Sequence, residues 1–102
     1  MFVVTNRVYV HPTWQNEFET RFKKRAGQID KQPGFKRMRI MRPQTKDTPY
    51  VVYTEWVDET SFKNWVGSDD FKLAHQNPMP EEAFTAKGSL EQHSVIISAE
   101  AV

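Results

Sequence analysis

Between Phe62 and His75 the chain reads FKNWVGSDDFKLAH. Two of these residues carry chemistry. His75 offers an imidazole, which can move a proton or lend a lone pair to a metal, and Trp65 offers a large rigid apolar face. They stand ten positions apart, and on an unbroken helix at ~100° per residue they would lie on different sides. The Gly67-Ser68 pair predicts a break: Gly67 tolerates the left-handed conformation at a helix end, and Ser68 can cap a second helix with Asp69 and Asp70 in its first turn. Bent there, the chain turns Trp65 and His75 toward a common space. Phe71 shares the histidine's helix face, and small Ala74 lies beside it, so this stretch can form a pocket wall. The plain alternative is two short amphipathic helices with core aromatics and a histidine near solvent.

A third polar group stands out in the first strand. From Phe2 to Val10 the alternation puts Phe2, Val4, Asn6, Val8 and Val10 on one face and Val3, Thr5, Arg7 and Tyr9 on the other. The first face is the apolar one, which predicts a buried Asn6 amide. Buried without a partner it would cost about 1–3 kcal/mol, so a loop backbone, a water or a ligand must satisfy it.

The elements that position these residues follow from punctuation and period. His11, Pro12 and Thr13 stop the first strand, and Thr13 caps a helix to about Lys31 with Trp14, Phe18, Phe22 and Ile29 on its apolar stripe and Ala26 close by. Gln32-Pro33-Gly34 ends that helix and opens a second strand, Phe35 to Arg42, whose basic side chains mark a guarded edge. A polar turn from Pro43 to Pro49 leads to Tyr50–Val57, apolar on both faces and therefore covered on both. Asp58 caps the helical segment holding Trp65. A loop from Gln76 to Gly88 follows, long enough to be functional, and Leu90 to Ser98 is the last strand. The order βαββαβ predicts one ferredoxin-like α+β domain over residues 1–102, with an antiparallel sheet and helices on one face. The bare face then calls for a second copy, a homodimer joined through its sheets.

Composition narrows the function classes. A chain of 102 residues without cysteine has no disulfide framework, thiolate nucleophile or cysteine-held cluster. A net charge of +1 gives no footprint for nucleic acid or a membrane surface. No stretch has the length of a membrane span, and the opening MFVVTNRVYV lacks a basic segment followed by a long apolar run. A soluble, cytoplasmic protein is expected.

With Asn6, Trp65 and His75 at these places, the sequence resembles the antibiotic-biosynthesis-monooxygenase superfamily, and within it the IsdG-type heme-degrading monooxygenases. The resemblance runs from about Phe2 to Ser98. It includes TNR in the first strand, FETRFKKR in the first helix, PGF at 33–35 and WVGSDDFKLAH at 65–75. It implies a dimeric α+β barrel of ferredoxin-like protomers. It also implies a catalytic set of Asn6, Trp65 and His75, with His75 the heme-iron ligand and heme both substrate and cofactor. Neutral imidazole is a standard axial ligand, an amide on the facing wall can donate to bound oxygen, and a bulky indole can distort the porphyrin. Phe22, Phe71 and Val66, with Phe62 near them, would supply the apolar walls. Arg21 or Arg25 would meet the heme propionates, although Arg21 could instead pair with Glu17 on the helix surface. Met79 is a conceivable second iron ligand, against the simpler reading of packing.

Three functions stay open at this point. The first is an O2-dependent heme-degrading monooxygenase fed by an external electron donor or reductase; no phosphate-binding loop announces a flavin or nicotinamide site of its own. The second is a cofactor-free, quinol-type monooxygenase on the same fold. The third is a non-catalytic heme-binding dimer.

Overall fold

The computed structural model describes the backbone of residues 1–102 and the side chains of all but residues 25–27. The expectations for Arg25 and Ala26 therefore lie outside the described residues. Four strands alternate with helices in the expected order: β1 (Phe2–Val8), α1 (Gln15–Ile29), β2 (Phe35–Met41), β3 (Tyr50–Trp56), α2 (Glu59–Val66), α3 (Asp69–Ala74) and β4 (Ser89–Ser94). They form one antiparallel sheet in the order β2-β3-β1-β4, the ferredoxin-like α+β arrangement. The basic strand β2 is an edge, as its charges predict.

Several boundaries shift for physical reasons. A 3₁₀ turn at Pro12–Trp14 precedes α1, and its cap is His11, whose Nδ1 accepts the Thr13 N–H at 3.2 Å. Thr13 thus sits inside the turn instead of capping the helix. β4 ends at Ser94 because the strand it pairs with, β1, begins at Phe2, opposite Ser94. One further bond joins the Val95 N–H to the Met1 carbonyl at 2.9 Å, and Ile96 and Ile97 are exposed. The 76–88 loop is tied down in its middle. It carries a 3₁₀ turn at Glu81–Ala83, the His11 N–H donates to the Ala83 carbonyl at 2.7 Å, and the Thr85 N–H donates to the Tyr9 carbonyl at 3.0 Å.

Pairing fixes which residues face the helices. Phe2, Val4, Asn6 and Val8 of β1 stand opposite Trp56, Thr54, Val52 and Tyr50 of β3. The core on this face comes in two clusters. One gathers Phe2, Val4, Ile29, Trp56 and Trp65; the other gathers Val10, Phe18 and Tyr50. Trp56 and Tyr50 are the largest fully buried side chains, and each anchors one cluster. Trp56 Nε1 donates to Thr54 Oγ1 at 3.0 Å, so its indole is buried with its polar edge satisfied.

Two close approaches lock the layers. Gly34 has φ +80°, and a Cβ there would fall 2.1 Å from Ser61 Oγ, so the start of β2 can meet the start of α2 only through glycine. At Gly88 a Cβ would fall 2.2 Å from the Arg7 carbonyl oxygen, which lets the chain pass tightly over the end of β1. No helix among the described residues is long and apolar enough to cross a membrane.

Candidate active site

The two core clusters leave a gap between them, and that gap is a cavity of about 290 Å3. Members of both line it: Val4, Ile29 and Trp65 from one, Phe18 from the other. Asn6 lies midway along β1, between Val4 and Val8, and so opens into the gap. It is exposed, not buried as its apolar strand face predicts. Periodicity assigns a face correctly, but it cannot tell a filled stretch of that face from an unfilled one. Asn6 also borders a more polar groove formed with Tyr9, Thr85 and Lys87, so its amide sits where the apolar cavity meets a wetter surface.

Trp65 and His75 come together as the break predicts. α2 is capped by Asp58, which accepts the Ser61 N–H at 2.9 Å, and ends at Gly67. The glycine is right-handed, φ −85°, instead of left-handed; the turn is made by Ser68, which is extended. Ser68 Oγ accepts the Phe71 N–H at 3.1 Å and donates to the Trp65 carbonyl at 2.7 Å, holding α3 against the end of α2. Trp65 is only 6% exposed. Its ring meets Phe71 edge-on, with centroids 5.4 Å apart at 82°.

His75 is exposed at the end of α3 and lines the cavity. Its Nδ1 lies 2.8 Å from the Phe71 carbonyl oxygen. A carbonyl only accepts, so Nδ1 carries the hydrogen, and in the neutral ring the lone pair is left on Nε2. Such a second hydrogen bond fixes tautomer and orientation in metal-binding histidines.

The other expected wall residues separate. Phe22, Phe62 and Phe71 line the cavity. Val66 does not: it is 41% exposed, because it follows Trp65 on the helix and is rotated away by ~100°. Arg21 lines the cavity and also makes its surface pair, donating from Nε to Glu17 Oε1 at 2.8 Å. Its Nη1 donates to the Asn77 carbonyl, tying α1 to the loop after His75. Met79 packs against the Val10, Phe18 and Tyr50 cluster, in keeping with the packing reading. Pro78 and Met79 line the cavity while Glu81 borders the polar groove, so that acidic side chain is carried away from the cavity wall.

Thr54, Met38, Phe84 and Leu90 also line the cavity and were not foreseen, because their place depends on strand register and loop return. A further group was missed altogether. Tyr50 Oη donates to Glu19 Oε2 at 2.5 Å, and Arg42 donates to both Glu19 oxygens at 2.8 and 2.5 Å. The Arg42 guanidinium and the Tyr50 hydroxyl hold the Glu19 carboxyl down to about 2. Burial, then the carboxylate, pushes the Tyr50 hydroxyl up to about 12. The three clamp α1, which carries the Phe18, Arg21 and Phe22 wall, onto β2 and β3.

Fold and site define a small α+β protein with an open, largely apolar cavity, one imidazole lone pair and one amide. The chain belongs to the antibiotic biosynthesis monooxygenase family, whose family model matches residues 1–77. Among curated proteins it is 34% identical over 101 residues to a staphylobilin-producing heme oxygenase of Staphylococcus epidermidis, covering 96% of each chain. Among solved structures it is similar to MhuD, a heme-degrader of Mycobacterium tuberculosis with two hemes bound in its active site. The TM-score is 0.79 at 26% identity, over 98% of this chain and all of the other. It is also similar to SnoaB, a cofactor-independent oxygenase of Streptomyces nogalater, with TM-score 0.75 at 25% identity over 95% and 94% of the two chains.

Proposed function

We infer that the chain is a heme-degrading monooxygenase, with heme bound as substrate and cofactor. The observation that carries the reading is His75, a cavity-lining imidazole whose Nδ1–H is committed to the Phe71 carbonyl and whose Nε2 is free to ligate. The likeness to a heme oxygenase over 96% of the chain supports it. The donor set fits heme: one neutral imidazole for the iron, aromatic walls for the macrocycle and Arg21 for a propionate. Bound heme supplies an iron that activates O2 and a porphyrin that is itself oxidised.

The chain's own residues bind and orient. His75 presents Nε2 in a fixed plane. Trp65, buried at its base and braced by Phe71, presses on a flat ligand without yielding. Asn6 supplies an amide donor where the apolar cavity meets the polar groove. Phe22, Phe62 and Phe71 exclude water from the macrocycle, and Arg21 exchanges the Asn77 carbonyl for a carboxylate. We assign the electrons to an external donor or reductase, with no flavin or nicotinamide site in the domain. We assign the sheet face bearing Met41, Val51 and Tyr53 to a homodimer contact.

Absorption spectroscopy tests the reading. Heme added to the purified protein should give a ligated Soret band that decays, with iron release, when ascorbate is added in air with catalase present. A complex that persists would mean heme holding without turnover. No complex would favour a cofactor-independent oxygenase, the activity named for SnoaB.

A further inference from the structure

Phe71 does more around His75 than a wall residue needs to. Its ring stacks on the imidazole, centroids 4.0 Å apart at 27°, while its carbonyl accepts from Nδ1 of the same ring. One contact limits the plane of the imidazole and the other its rotation and tautomer. Both come from one residue four positions back, where side chains on a helix meet. An exposed histidine at a helix end would otherwise sample several rotamers.

Phe71 is itself pinned from the other side. Its N–H is held by Ser68 Oγ, which in turn donates to the Trp65 carbonyl. Its ring edge abuts the Trp65 indole. Two parallel connections therefore run from Trp65 to His75 through Phe71, one of hydrogen bonds and one of rings. A residue present only to fill space would be as well served by leucine, which keeps the apolar volume and the backbone carbonyl but cannot stack.

We propose that Phe71 is a positioning residue for His75, its ring fixing the plane in which the imidazole meets heme iron and holding that plane in register with Trp65. The inference rests on the heme reading above and deepens it by naming what orients the ligand.

The test compares Phe71→Leu with Phe71→Tyr, which retains the ring. In the heme-free protein, stacking shields the carbon-bound ring protons of His75, and these NMR signals should move downfield in Phe71→Leu but stay in place in Phe71→Tyr. With heme, Phe71→Leu should lose about 2–10-fold in affinity by Soret titration, the worth of one ring–ring contact. The electron paramagnetic resonance g values of its cyanide-treated ferric complex should change, while Phe71→Tyr stays close to wild type. A thermal melt establishes that both variants fold. Loss of affinity in Phe71→Leu with unchanged g values would mean simple packing and would overturn the proposal, as would wild-type affinity in Phe71→Leu. A wild-type protein that forms no heme complex would instead defeat the heme reading and remove the proposal with it.

Discussion

Replacing Glu19 by glutamine should destabilise the protein in a way that depends on pH. The carboxyl is held at about 2, against 4.5 for an ordinary glutamate, chiefly by the Arg42 guanidinium and then by the Tyr50 hydroxyl. A carboxyl depressed in the folded state adds stability that is complete above its unfolded value and is lost as pH falls toward the folded one. Unscreened, the difference corresponds to about 3 kcal/mol. Arg42 is 63% exposed, and water screens the pair, so about 1–2 kcal/mol is the expected contribution. At 4–8 °C per kcal/mol for a domain of roughly this size, Glu19→Gln should melt about 4–16 °C below wild type at neutral pH. The gap should close between about pH 4.5 and 2, where wild type becomes protonated and resembles the amide. Melting curves of both proteins across that range supply the assay. A gap that is absent at pH 7, or that persists unchanged to pH 2, would refute the reasoning. Because the same clamp seats Phe18, Arg21 and Phe22, heme affinity should weaken alongside stability.

Ser68→Ala removes the group joining Trp65, α3 and Phe71, and should cost about 1 kcal/mol in urea unfolding. Heme binding should weaken beyond the loss seen for a cap substitution remote from the cavity. Asn6→Ala alters an exposed side chain, so stability should change by less than about 0.5 kcal/mol. Heme should still bind, yet its degradation under ascorbate should slow by roughly 10–100-fold, the cost of losing a donor that stabilises charge during the reaction; normal turnover would remove Asn6 from the reaction. Arg21→Ala frees the Asn77 carbonyl, and urea unfolding should show a loss of about 0.5–1.5 kcal/mol, the worth of one hydrogen bond.

The order of elements was legible because strand and helix periods differ and because Pro33-Gly34, Asp58 and Ser68 mark their boundaries. The meeting of Trp65 and His75 was legible for the same reason, although Ser68 makes the bend with Gly67 right-handed. The state of Asn6 was not. Its exposure follows from two clusters failing to meet across the sheet, a matter of packing between distant elements. Val66 was misplaced because one residue along a helix changes the face. The clamp of Glu19, Arg42 and Tyr50 joins a helix to two strand ends, and no local pattern links residues brought together by topology. Glu19 taken alone reads as an acidic residue early in a helix, where the dipole favours it, and Arg42 as protection of an edge.

Titration of heme into wild-type protein and into His75→Ala, followed by the Soret band, tests the central claim most directly. Wild type should give a saturable complex with the spectrum of an imidazole-ligated heme. His75→Ala should lose that spectrum while melting close to wild type, since the side chain it removes is exposed. The same Soret band in both proteins would take the iron-ligand role away from His75 and contradict the account.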